Sequence, residues 1–146
     1  MQSVAEIVAE FSARPWLGVT EADLGLAARV PTMLTAEESR LYHWLGRRVA
    51  GGGAVVDLGA YVGGSAARLL SGLAMAGHAT PVHSYDRFRS SRVLWARYMP
   101  DEPLPEADDA DLLPVVRRHL APWGRQVVLH VGDIGEKRWE GGPSEI

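Results

Sequence analysis

Nine consecutive residues, Asp57-Leu58-Gly59-Ala60-Tyr61-Val62-Gly63-Gly64-Ser65, combine a carboxylate, three glycines and a hydroxyl. Residues of these types in this order suit ligand binding. Glycines let the backbone turn sharply and come close to a ligand, and the amides that open a following helix point at any carboxylate or phosphate placed before them. A second carboxylate, Asp86, closes the run Val82-His83-Ser84-Tyr85-Asp86. A carboxylate at a strand end can accept two hydrogen bonds from the vicinal hydroxyls of a ribose, and such charge-assisted bonds are the stronger class. A third turn, Gly132-Asp133-Ile134, follows another apolar run. Asp86 would serve a dinucleotide equally well, but the dinucleotide fingerprint needs its middle glycine to make room for the pyrophosphate, and Tyr61 fills that place.

The elements that must position these residues are legible as an alternation of helices and strands. Val4, Ile7, Val8 and Phe11 share one helix face that Pro15 stops, and Thr20 with Asp23 caps a short second helix ending before Pro31. Thr35 and Glu38 form a capping box for a third helix, whose Leu41, Trp44, Leu45 and Val49 line one side until Gly51-Gly52-Gly53. Residues 54–58 form a short β-branched apolar run between glycines and predict a buried strand. The glycine turn follows, then a helix over 64–76 with Ala67, Leu70, Leu73 and Ala74 on one face, then a strand over residues 82–86. Strand, turn, helix and strand make a β-α-β unit, so the sheet is expected to be parallel.

A helix is expected over 90–99. The next eleven residues, 101–111, carry six carboxylates with Pro103 and Pro105 and predict a solvated loop or lid. A further helix is expected over 109–120 and a third strand over 126–131. The fold class expected is therefore α/β, a Rossmann-like parallel sheet with strands ordered 3-2-1. Residues 1–50 form an N-terminal helical region, and residues 51–146 a partial Rossmann-like domain.

The run from Asp57 to Ser65 resembles the cofactor turn of class I S-adenosylmethionine-dependent methyltransferases, most closely the small-molecule O-methyltransferases of the catechol and macrocin types. Those families use an acidic residue, then Gly-Ala-Tyr or similar, then Gly and Ser, to hold the methionine part of the cofactor. The resemblance implies that Gly59, Tyr61 and Ser65 contact the methionine moiety, with Asp57 ordering the turn or its amino group. It implies a ribose-binding role for Asp86, and adenine contacts from Asp133 and Ile134. The full cofactor-binding set implied is Asp57, Gly59, Ala60, Tyr61, Gly63, Gly64, Ser65, Asp86, Arg87, Gly132, Asp133 and Ile134, with S-adenosylmethionine as cofactor.

In the class I fold seven strands run in the order 3-2-1-4-5-7-6, and metal-binding and catalytic residues lie at and beyond the fourth. The sequence supplies strands one to three, so the expectation is the amino-terminal part of a longer methyltransferase. No catalytic residue is assigned, and a divalent metal is implied only for the complete enzyme. Residues 54–58 would then form an exposed apolar edge, covered by a missing C-terminal half or by a second copy in a homodimer. Two rival readings stand beside this one: an NAD-binding oxidoreductase fragment, and a non-catalytic nucleoside-binding or scaffold domain.

Composition narrows the partners. The 15 basic and 18 acidic residues give a net charge of −3, so nothing pulls the chain toward nucleic acid or an anionic membrane. A small-molecule substrate fits better. No segment suggests a membrane span or a secretory signal, and a cytoplasmic location is expected. With no cysteine, disulfides, thiolate metal sites and cysteine nucleophiles are excluded. Lys137 is the only lysine. His43, His78, His83, His119 and His130 show no repeated spacing that places two on one face, so structural roles are expected of them. Arg87, Arg89, Arg92 and Arg97, with Trp95 and Tyr98, either hold an anionic or aromatic substrate or cover a helix surface with their stems.

Overall fold

The computed structural model describes residues 3–49 and 53–137. It is an α/β structure. In chain order it comprises α1 (Val4–Ser12), α2 (Glu21–Leu24), α3 (Ala36–Arg48), β1 (Val55–Leu58), α4 (Gly64–Met75), β2 (Val82–Asp86), β3 (Arg89–Ser90), α5 (Arg92–Tyr98), β4 (Ala110–Asp111), α6 (Leu113–Leu120) and β5 (Val127–Val131). Short 3-10 segments fill Pro15–Gly18, Gly25–Arg29 and Ala121–Gln126, the last kinked at Gly124.

Local chemistry explains the helix starts. Ser3 with Glu6, Thr20 with Asp23, and Thr35 with Glu38 each form a reciprocal capping box, satisfying amides that a helix start otherwise leaves without acceptors. The stop expected at Gly51-Gly52-Gly53 comes earlier, since α3 ends at Arg48 with Val49 extended. Gly51 and Gly52 lie outside the described residues, as do residues 138–146, where the sequence offered no fourth strand.

β1, β2 and β5 form one parallel sheet in the order β1-β2-β5, which is the expected 3-2-1 order read from the other edge. Val55 pairs with Val82 and Leu58 with Tyr85, while Val82 pairs with Val127 and Asp86 with Val131. The register brings the C-terminal ends of all three strands level, and the three ligand-type turns leave from that end. In open parallel sheets this is the end where ligands bind.

One core serves the sheet and its helices. Val62, Ala66, Leu70, Leu73, Val82, Phe88, Leu112 and Val116 are fully buried in it. α3 lies against α4 at very close range. A Cβ on Gly46 would strike the Leu69 carbonyl, and one on Gly72 would strike the His43 carbonyl. Ala27 and Val30 join the same core, so the N-terminal segment is packed onto the sheet domain. A smaller cluster of Trp16, Val19, Leu24 and Trp44 lies beside it, with the Phe11 ring against both indoles. The strand expected to be buried is largely open: among the described residues β1 has a strand on one side only, its Val56 and Leu58 are 45% and 63% exposed, and only Asp57 in it is buried.

Two expected elements differ from what forms. The helix expected over 109–120 begins at Leu113, because residues 110–111 pair antiparallel with residues 89–90 instead. Asp109 takes a left-handed backbone (φ 57°), and the Asp111 carboxylate accepts from the Leu113 amide at 2.9 Å, so the chain bends before the helix starts. The helix expected over 90–99 starts at Arg92 for the same reason: Ser90 is taken into β3, and Ser91 becomes the cap, accepting from the Leu94 amide.

Candidate functional site

The glycine turn between β1 and α4 is built by three left-handed residues. Gly59, Tyr61 and Gly63 have φ of 81°, 47° and 90°. Gly59 and Gly63 adopt this region without a Cβ penalty, but Tyr61 does not. The Tyr61 amide donates to Asp86 Oδ2 at 2.9 Å, its hydroxyl lies 3.0 Å from Ser90 Oγ, and its ring meets Tyr98 edge-on at 6.2 Å. Those contacts fasten the unusual conformer. Burial pushes the Tyr61 phenol up from its ordinary pKa, so the hydroxyl stays protonated.

Asp57 stands at the foot of the turn, 6% exposed. Its Oδ2 accepts from Ser65 Oγ at 2.9 Å and from Ser84 Oγ at 3.3 Å. Burial raises its pKa, the two hydroxyl bonds oppose that, and the charge of Asp86 adds to the rise. The carboxylate therefore ties β1, β2 and the first turn of α4 together. Gly59, Ala60, Tyr61, Gly64 and Ser65 join Asp57 around a cavity of about 100 Å³. Gly63 does not line it: this residue is the helix N-cap, and a Cβ there would press into the Leu120 side chain.

The far wall of that cavity comes from a segment that the motif did not reveal. Thr32, Met33, Leu34 and Tyr42 line it. The approach is close enough that a Cβ on Gly64 would collide with the Pro31 carbonyl and the Thr32 side chain. The run of two glycines at 63–64 thus serves a turn on one side and a backbone contact on the other. That second role was the available signal.

Asp86 uses both oxygens at once. Oδ2 accepts from the Tyr61 amide, and Oδ1 from the Phe88 amide at 2.7 Å, while the Asp86 carbonyl accepts from the Gly132 amide at 3.0 Å. One residue thus joins all three ligand-type turns. Each carboxylate oxygen has a second acceptor position, so ribose hydroxyls can still bond to it. Asp86, Arg87, Asp133 and Ile134 line a second cavity of about 480 Å³, with Arg89, Ser90, Ser91 and Asp109 opposite. Asp133 Oδ1 accepts from the Gly135 amide at 2.8 Å, which shapes the third turn, and Gly132 supports that turn at its start.

The acidic stretch is exposed, as expected of a solvated loop, and is tied down at several points. Asp109 pairs with Arg89 at 3.1 Å and lies 3.9 Å from Arg87, Asp108 accepts from the Arg92 amide at 2.7 Å, and the Leu112 amide donates to the Phe88 carbonyl at 2.8 Å. The flanking arginines hold Asp109 below the usual carboxylate range. Arg97 instead lies over the Tyr98 ring, 5.3 Å from its centroid.

The histidines are not all scattered. His83 Nδ1 lies 3.0 Å from His130 Nε2, and His130 stacks on Tyr85 at 4.1 Å. Spacing within one element could not show this, since the pair is made by the register of β2 against β5. Burial and the neighbouring imidazole lower the His83 pKa. No group of three or more metal-ligating side chains is found among the described residues, nor any helix long and apolar enough to cross a membrane.

Twelve residues were expected at the site; ten of them line one of the two cavities, while Gly63 and Gly132 line neither and shape the turns. The chain matches no protein-family model, and no curated protein matches it.

Proposed function

We propose that the two adjoining cavities bind S-adenosylmethionine, and that the chain is the cofactor-binding part of a methyltransferase acting on an oxygen of a small molecule. The observation that carries this reading is the double use of Asp86, which fastens the glycine turn through the Tyr61 amide while lining the larger cavity. A methionine head at the Asp57 turn and a nucleoside beside Asp86, Asp133 and Ile134 would fit one continuous ligand. Buried Asp57 suits an ammonium group, and a Cβ at Gly59 would meet no atom within 4 Å, which leaves room beside the turn. Tyr61 opposes a pyrophosphate there, because its ring and hydroxyl are anchored to Tyr98 and Ser90.

When bound, the cofactor supplies an electrophilic methyl on a sulfonium sulfur. The residues described bind and orient it, and orientation of the two reactants in line is a large part of such catalysis. Calorimetric titration with S-adenosylhomocysteine and with NAD tests the reading. S-adenosylhomocysteine is expected to bind and NAD not to, and Asp86→Ala is expected to weaken binding by roughly 1–3 kcal/mol, about ten- to a hundred-fold. Binding of NAD alone, or of neither ligand by the folded chain, sinks it.

A further inference from the structure

Two buried charges stand at the glycine-turn cavity, Asp57 lining it and Arg68 behind it, and among the described residues neither has an ion-pair partner. Arg68, in the second turn of α4, is 4% exposed. Its Nε donates to Ser39 Oγ at 3.0 Å, and its Nη1 donates to the carbonyls of Val30 at 3.0 Å and Gly64 at 2.9 Å. All three acceptors are uncharged. Among the described residues no carboxylate pairs with it, and Asp57 likewise has only the hydroxyls of Ser65 and Ser84 as partners.

Burying a charge without a counter-charge destabilises a fold, since neutral dipoles replace only part of the lost hydration. Arg68 is also the one formal charge on α4, whose other buried residues are glycine, alanine and leucine. Its position gives the cost a purpose. Asp57 lines the cavity from β1, and Arg68 stands one hydrogen bond behind the part of the wall that Gly64 makes. Val30, its other carbonyl partner, directly precedes the Pro31-Thr32 segment that abuts Gly64. Gly63, as N-cap, offers no side chain to the amides opening α4, so they add partial positive charge on the same side. Asp57 therefore brings a negative group to the cavity, while Arg68 and the opening amides of α4 bring positive charge at and behind Gly64. Charges separated by a water-poor interior act over several ångströms with less screening than in bulk water.

We propose that Arg68 is a specificity-determining residue that makes this cavity select a zwitterionic α-amino-acid head, with the ligand's ammonium toward Asp57 and its carboxylate toward Gly64. Arg68 acts through the wall and does not touch the ligand. The proposal rests on the S-adenosylmethionine reading and names the group of this chain that demands the carboxylate.

Calorimetry on the whole chain with three ligands tests it: S-adenosylhomocysteine, the same molecule with its carboxylate replaced by a carboxamide, and 5′-methylthioadenosine, which lacks the amino-acid head. The wild-type chain is expected to bind the carboxylate form at least tenfold more tightly than the carboxamide. Arg68→Gln keeps a hydrogen-bond donor without the charge and is expected to bring that ratio near one, with 5′-methylthioadenosine affinity changed less than twofold. Arg68→Lys keeps the charge and should retain most of the preference. Equal wild-type affinity for acid and amide overturns the proposal, and needs no variant to fold. An unchanged ratio in folded Arg68→Gln, or an equal loss for all three ligands, overturns it too and leaves Arg68 a structural clamp. In those outcomes 5′-methylthioadenosine still binds, so the cofactor reading survives; a wild-type chain that binds none of the three removes both.

Discussion

The Tyr61 amide, held at φ 47° in the turn after β1, donates to Asp86 Oδ2 at the end of β2 at 2.9 Å, while Asp86 Oδ1 takes the Phe88 amide at 2.7 Å. Two left-handed residues, Tyr61 and the fully buried Phe88, are thus fixed by opposite oxygens of one carboxylate. Their backbone strain is offset by charge-assisted bonds that strengthen away from bulk water.

Asp86→Asn separates this structural role from ligand binding. An amide side chain has one oxygen, so one of the two backbone donors must face an NH2 group and lose its acceptor. The substitution is expected to lower the stability of the ligand-free chain by about 1–3 kcal/mol. Chemical denaturation without ligand reads the change. An Asn variant that unfolds at the wild-type midpoint would mean that the turn holds its shape without Asp86.

Gly59 and Gly63 are both left-handed but differ in what surrounds them. A Cβ on Gly59 meets no atom within 4 Å, whereas one on Gly63 presses on the Leu120 side chain. Gly59→Ala therefore carries only the backbone penalty, roughly 1–2 kcal/mol. Gly63→Ala adds overpacking of a buried leucine, which costs a further ~1–3 kcal/mol. Thermal melts should rank wild type above Gly59→Ala, and Gly59→Ala above Gly63→Ala. Ligand affinity should invert the order of damage among folded protein, since the new methyl at residue 59 projects beside the cavity. A Gly59→Ala chain with unimpaired S-adenosylhomocysteine binding would place the ligand elsewhere.

Much of this was legible in the sequence because it is encoded locally. Capping boxes read directly from Thr20 with Asp23 and Thr35 with Glu38, a short apolar run between glycines marked β1, and the run after Pro81 marked β2. The glycine turn was legible in part, because Gly59 and Gly63 admit left-handed angles by themselves, whereas the left-handed Tyr61 is held by Asp86 from another strand. What stayed hidden depends on pairs distant in the chain. The β3–β4 ladder forms because Asp109 turns left-handed and meets Arg89, twenty residues away; the acidic, proline-bearing stretch is exposed as its composition implies, but composition could not show that pairing. The His83–His130 contact needs the β2–β5 register. Arg68 carried a readable sign, as the lone formal charge between Asp57 and Asp86 in an otherwise uncharged helix. Its partner Ser39 and the Thr32 wall follow from how closely α3 packs on α4.

Acid should loosen the contact between α3 and α4 through His43, which is fully buried. Its Nδ1 lies 3.1 Å from Ser71 Oγ, and that hydroxyl donates to the Leu24 carbonyl at 2.9 Å, so the imidazole donates from Nδ1 and its Nε2 is the bare nitrogen. Nε2 is buried without a hydrogen-bond partner. Burial lowers the His43 pKa, the nearby positive charge of Arg47 adds to that, and Asp23 opposes it. The folded pKa is below the unfolded one, so the stabilising neutral form is fully in place above the unfolded value of about 6.5 and is lost as pH falls through the folded value. His83, whose pKa is also lowered, has the same sign and contributes in parallel. His43→Gln removes only the first contribution while keeping a donor for Ser71. Denaturation midpoints measured from pH 8 down to pH 5 should therefore fall more steeply in wild type than in His43→Gln, whatever their separation at pH 8. Parallel curves would mean that His43 takes up its proton as easily in the core as in the unfolded chain, against the burial that its position between α3 and α4 imposes.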